Sequence, residues 1–130
     1  MAPPSYKLYT PEASFRAFAT LIAAEFNGID VEVVVPDDLA AAVAKSPIGK
    51  LPLLECQTDA NESPTIIFSS HSMARYMAGV RRDTGLLGNG SAEAAAAVDA
   101  WMDYCAHNIE LPACIWWYPV AGYMPSSQPA

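Results

Sequence analysis

The first 80 residues switch between strand-like and helix-like patterning in an order that few folds accommodate. Residues 6–9, behind two prolines, are rich in strand formers. Thr10-Pro11-Glu12 breaks that run. Phe15, Phe18, Ala19, Ile22 and Phe26 then recur at helical spacing, which predicts one apolar helix stripe, and Asn27-Gly28 supplies the stop. Val31-Glu32-Val33-Val34-Val35 is β-branched, and a strand–helix–strand succession of this length predicts two parallel strands. Pro36 ends the second strand, and Asp37 or Asp38 is placed to cap a short helix through Leu39, Val43 and Ala44. After a loop at 46–50, residues 51–56 read as a third strand with a proline at its opening, where no ladder donor is needed. A polar turn at 59–64 leads to a fourth strand, 65–68, antiparallel to the third. Ser69 or Ser70 then caps a helix carrying Met73, Tyr76, Met77 and Val80 on its apolar stripe. The order β-α-β-α-β-β-α predicts a thioredoxin-like α/β domain with a four-stranded mixed sheet over residues 1–84.

Gly85-Leu86-Leu87-Gly88-Asn89-Gly90 reads as a linker, and the composition changes after it. Ser91 caps an Ala-rich helix with Glu93 in its first turn and Val98, Trp101, Met102, Cys105 and Ile109 on its apolar face. Pro112 is expected to end or kink that helix, and Pro119 to interrupt the next one, which carries Trp116-Trp117-Tyr118. Residues 125–130 are polar and proline-containing. The helical part, residues 91–130, is too short to bury its own aromatic face, since each buried ring is worth about 1.5–3 kcal/mol. Trp101, Trp116, Trp117 and Tyr118 are therefore candidate interface residues, covered by further chain or by a second copy.

Composition narrows the function. With 14 acidic and 7 basic residues the formal net charge is −7, and the one basic pair, Arg81-Arg82, is followed at once by Asp83. Phosphate affinity needs basic side chains, so nucleic acid is set aside as a direct partner. No apolar run approaches the ~20 residues of a membrane span, and Met1-Ala2-Pro3-Pro4 has no signal-peptide pattern. Cys56, Cys105 and Cys114 are odd in number and widely spaced. They form neither a CxxC pair nor a disulfide or zinc framework, which points to a reducing cytoplasm and against a stand-alone thioredoxin-like redox protein. His71 and His107 stand alone, with no metal-ligand spacing.

Tyr9-Thr10-Pro11-Glu12, Arg16-Ala17-Phe18, Leu21-Ile22-Ala23-Ala24, Pro47-Ile48-Gly49-Lys50-Leu51-Pro52, Phe68, Ser70 and Ala74-Arg75-Tyr76 resemble the N-terminal region of the gamma-subunit family of eukaryotic translation elongation factor 1B. Glu93 to Ala96, Trp101, Ile109 to Pro112, Trp116 and Pro119 continue the likeness. The Gly49-Lys50-Leu51-Pro52 loop is common to many glutathione transferases and marks only that superfamily. The segments at 11–18 and 111–119 are more specific. The resemblance implies a glutathione-transferase-like module whose residues 91–130 are the first helices of an all-α domain. It implies a scaffold role in protein synthesis, anchoring the subunit that exchanges guanine nucleotide on the aminoacyl-tRNA-carrying factor, with no cofactor required.

The same resemblance marks a cleft for glutathione or a related thiol. Ser14 stands where serine-type transferases place the hydroxyl that activates the thiol. A hydroxyl at a helix start can donate to a thiolate, yet serine is also a preferred helix cap without any catalysis. A further alternative starts the helix at Thr10-Pro11 and leaves Ser14 inside it. Leu51-Pro52 matches the superfamily's cis-proline, whose preceding residue offers its backbone to the ligand's cysteinyl part. Ser69-Ser70 matches an acid–serine pair that grips the γ-glutamyl end. Ser70 is present, but Ser69 replaces the acid, and losing a charge-assisted hydrogen bond costs about 1.5–3 kcal/mol of binding. Lys50 is a candidate for a ligand carboxylate. The alternative to the scaffold is thus an enzyme that conjugates a thiol to electrophiles, with Ser14, Lys50, Leu51, Pro52, Ser69 and Ser70 around its ligand.

Overall fold

Strand β1 (Ser5–Tyr9) lies inside a four-stranded sheet of order β2-β1-β3-β4, where β2 is Glu32–Val34, β3 Leu53–Gln57 and β4 Thr65–Phe68. It pairs in parallel with β2 and antiparallel with β3, and β3 pairs antiparallel with β4. The first two strands are parallel because a helical crossover joins them; the last two are antiparallel because a short turn does. This is the mixed sheet that the sequence predicts. The structure, a computed structural model, describes residues 3–59 and 62–125. The chain divides into two units, Met1–Leu87 and Gly88–Ala130. Met1 and Ala2, Ala60 and Asn61 of the polar turn, and residues 126–130 of the polar end lie outside the described residues.

Side-chain alternation along β1 and β3 decides where the core sits. Tyr6 and Leu8 of β1 share a face with Leu54 and Cys56 of β3, and these pack with Ala17, Ala24, Met73 and Met77. Those partners come from helix α1 (Phe18–Phe26), the 3₁₀ turn before it (Phe15–Ala17) and helix α3 (Ser70–Val80), so α1 and α3 cover this face together. Lys7, Tyr9, Leu53 and Glu55 point the other way, toward helix α2 (Leu39–Ala44). The Asp38 carboxylate accepts from the Ala41 N–H and caps α2.

The apolar stripe of α1 is turned outward. Phe18, Ile22 and Phe26 are 54%, 57% and 69% exposed, while Ala17, Thr20 and Ala24 are buried. Small residues let α1 approach α3 closely. Periodicity identifies an apolar stripe, but it does not say which stripe the sheet takes.

In the second unit, α4 (Ala92–Tyr104), a π-helical stretch (Cys105–Glu110) and α5 (Leu111–Val120) follow without a break. Ser91 caps α4 by accepting from the Ala94 N–H. Two expectations are corrected here. Pro112 does not end a helix: it sits in the first turn of α5, directly after the wide π turn, where its missing N–H and its ring do least harm. Pro119 lies inside α5 rather than interrupting it. Its missing donor falls in the last turn, and the Ala121 N–H still reaches the Trp117 carbonyl at 2.8 Å.

Candidate functional site

Register brings the candidate residues to one end of the sheet. Tyr9, the last residue of β1, pairs with Leu53, the first of β3, and Leu53 pairs with Phe68, the last of β4. The chain therefore leaves β1 toward Ser14, enters β3 from Pro52 and leaves β4 into Ser69-Ser70, all at the same edge. The Thr10 N–H donates to the Val34 carbonyl, so β2 ends there too. A parallel β1–β2 pair with antiparallel β3 requires this convergence, and open sheets place ligands at such strand ends.

Ser14 occupies the position before the 3₁₀ turn, with extended backbone. Its carbonyl accepts from the Ala17 N–H at 3.1 Å, and its side chain makes no capping bond. The capping alternative therefore holds for the backbone and fails for the hydroxyl. The alternative that starts the helix at Thr10-Pro11 fails outright: Ala13 has φ 54°, a conformation that breaks any helix there.

The Leu51–Pro52 peptide bond is cis, and Pro52 is buried. The loop before it is held by short-range bonds. The Ser46 N–H donates to Val43, the Gly49 N–H donates to the Ser46 carbonyl, and the Lys50 N–H donates to Ser46 Oγ at 3.3 Å. Gly49 has φ 63°, which glycine adopts without the penalty a Cβ brings. The Lys50 side chain is exposed.

Ser69 stands at the cap position of α3 with φ 74° and no side-chain cap bond; Ser70 is the first helical residue, so neither hydroxyl caps the helix. Its left-handed backbone turns β4 sharply into α3, and a serine bears that conformation at a cost of about 1–3 kcal/mol.

Two side-chain clusters beside these strands escaped the sequence reading. Lys45, at the end of α2, places Nζ 2.6 Å from Glu55 Oε2 and 3.0 Å from the Tyr9 hydroxyl. The signal was Glu55 itself, a carboxylate between the buried Leu54 and Cys56, which needs a partner. On the other face Cys56, Tyr76 and Tyr6 form a hydrogen-bonded group. Burial pushes the Cys56 thiol and both phenols up from their ordinary values. Cys56 is therefore a packed thiol, not a nucleophile.

A separate groove of about 460 Å³ runs along α3 and is lined by Ile67, Ser72, Arg75, Tyr76, Gly79 and Leu87. In the second unit, Trp101 is 70% exposed, Trp116 66% and Trp117 38%; Tyr118 is half-buried, with its ring 5.5 Å from that of Tyr123. Among the described residues no acidic, histidine or cysteine cluster could hold a metal, and no helix is long and apolar enough to cross a membrane.

No protein-family model matches the chain. It is similar to the protein named elongation factor 1-gamma from Prunus avium, at 33% identity over 95% of this chain and 29% of that protein. The protein named elongation factor 1-gamma 1 from Oryza sativa subsp. japonica shares 31% identity over 91% of this chain and 28% of its own length. The chain thus spans under a third of these relatives. Among solved structures, a monomeric glutathione S-transferase from the hookworm Necator americanus superposes with a TM-score of 0.72 at 21% identity, over 95% of this chain and 56% of that one. The fold is glutathione-transferase-like, and the resemblance to elongation factor 1-gamma runs through nearly the whole chain.

Proposed function

We propose that this chain, as the glutathione-transferase-like module of an elongation factor 1 gamma subunit, is a cytoplasmic scaffold that docks the guanine-nucleotide-exchange subunit in protein synthesis. The observation that carries this reading is the similarity to proteins named elongation factor 1-gamma over 91% and 95% of the chain. Two features of the chain agree with it. Ser69 stands where a ligand-gripping acid is expected, which weakens thiol binding. Trp101 and Trp116 are large rings left in water, and exposed aromatic surface of this kind is characteristic of contact sites. The same aromatic surface would serve self-association, with a second copy covering it.

A pull-down from purified components tests the scaffold. The full-length protein should retain the exchange subunit, and free glutathione should not release it. A well-folded full-length sample that fails to retain it would remove the reading.

One observation favours a second role for the same module. Ser14, Leu51-Pro52 and Ser70 come from three separate segments, and the sheet register brings those segments to one edge. In this reading the edge is a thiol groove, and the protein conjugates glutathione to electrophiles with Ser14 Oγ donating to the thiolate. Conjugation to an activated aryl halide by the full-length protein should then collapse in Ser14→Ala. Equal rates in wild type and variant would remove Ser14 from the chemistry. A groove retained on a docking module is compatible with both roles.

A further inference from the structure

We infer that Lys45 is a positioning residue for this edge of the sheet: its ammonium pins the end of α2 to β1 and β3 and so fixes the loop that carries Lys50 and Leu51. The inference rests on the thiol-groove reading given above. α2 has only six residues, too few to hold itself as a helix, and of its side chains Ala42 alone is buried. Its hold on the sheet is therefore weak in apolar contact. Lys45 compensates from the position just past the helix. Its Nζ lies 2.6 Å from Glu55 Oε2 and 3.0 Å from the Tyr9 hydroxyl. Glu55 is the better shielded partner, with its side chain 16% exposed against 41% for Lys45. A shielded carboxylate facing an ammonium is screened less than a surface pair.

The leverage lies in the connection. Five residues separate Lys45 from the Lys50–Leu51 peptide, and Ser46 links the two ends. Its N–H donates to Val43 within α2, and its hydroxyl accepts from the Lys50 N–H. Holding Lys45 against the sheet therefore holds Ser46, and through it the backbone that runs into Pro52. Tyr9 and Glu55 belong to the two central strands, each paired on both sides, so the anchor is the middle of the sheet.

The test uses the full-length protein with Lys45→Met, which keeps the stem and removes the charge, and Lys45→Arg, which restores it. Amide hydrogen exchange at Val43, Lys45, Ser46 and Lys50 should quicken by about threefold to tenfold in Lys45→Met, with Leu8 and Leu54 unchanged. Lys45→Arg should return it toward wild type. In glutathione titration, Lys45→Met should bind about threefold or more weakly and Lys45→Arg should recover, a rescue that loss of packing alone would not give. Unchanged exchange in Lys45→Met overturns the clamp. Quickened exchange with unchanged glutathione affinity overturns its positioning role. Wild type that binds no glutathione removes the thiol reading and with it that role; the exchange result still decides the clamp.

Discussion

The Asn27 side-chain amide donates to the Met77 carbonyl at 2.6 Å across fifty residues of sequence, tying the end of α1 to α3. The same amide reaches the Ala78 carbonyl at 3.3 Å, and its oxygen accepts from the Thr84 hydroxyl at 2.5 Å. Asn27 is wholly buried. In Asn27→Ala two buried carbonyls lose their donor, each worth about 1–3 kcal/mol and not additive, while the exposed Thr84 hydroxyl still has the Arg81 carbonyl at 3.1 Å. Denaturant unfolding should show a loss of about 2–4 kcal/mol; a loss under about 1 would mean that water replaces the amide.

Thr20 presents the opposite case. It is fully buried in α1, and its hydroxyl has no hydrogen-bond partner among the described residues. Thr20→Val keeps the shape and removes the unpaired group, so it should stabilise the protein by about 1 kcal/mol. A thermal midpoint that falls instead would reveal a partner for that hydroxyl.

Alkaline sensitivity follows from the Cys56 cluster. Burial raises Cys56 above the ordinary thiol value of 9.0, and Tyr6 and Tyr76 above the phenol value of 10.0. A group with a raised folded pKa contributes its full stability below the unfolded value and loses it as pH rises toward the folded one. Urea midpoints should hold steady to about pH 8 and fall from about pH 9. In Cys56→Ala the decline should begin about one pH unit later, when the phenols start to ionise. An identical onset in both proteins would take the thiol out of the effect.

An acid placed at position 69 tests the proposed thiol cleft directly. Ser69 already has φ 74°, and aspartate is among the residues that tolerate positive φ best. Ser69→Asp should tighten glutathione binding by about tenfold or more, the fold-change of a regained charge-assisted hydrogen bond. Equal calorimetric affinities in both forms would show that residue 69 does not face the ligand's ammonium.

The sheet was legible because each strand carries local signals. β-branched runs, prolines and a short turn fix β2, β3 and β4, and the helical crossover dictates the parallel pair. The outward face of α1 was not, since Phe18, Ile22 and Phe26 present the same period that a core stripe would. Residue type alone misled at the start of α3: serine at 69 and 70 looks like a cap, yet Ser69 sits at positive φ with no side-chain cap bond and Ser70 is already helical. At the site, the residues named from resemblance could be placed by strand register. Lys45 with Glu55 and Asn27 with Thr84 could not, because ten and 57 residues separate the partners and no spacing rule joins them.

The π-helical stretch at Cys105–Glu110 makes the aromatic array of α5 a matter of counting. A wide turn carries one surplus residue, so deleting Ala106 would let the run relax to ordinary helix with later side chains facing much as they do now, whereas deleting Ala96 from the regular α4 would swing them about 100° around the axis. Trp116 would keep its direction in the first deletion and take one now held by a neighbour in the second. Tryptophan emission should therefore stay put when Ala106 is removed and shift when Ala96 is; equal shifts in both would mean that the wide turn does not absorb the extra residue.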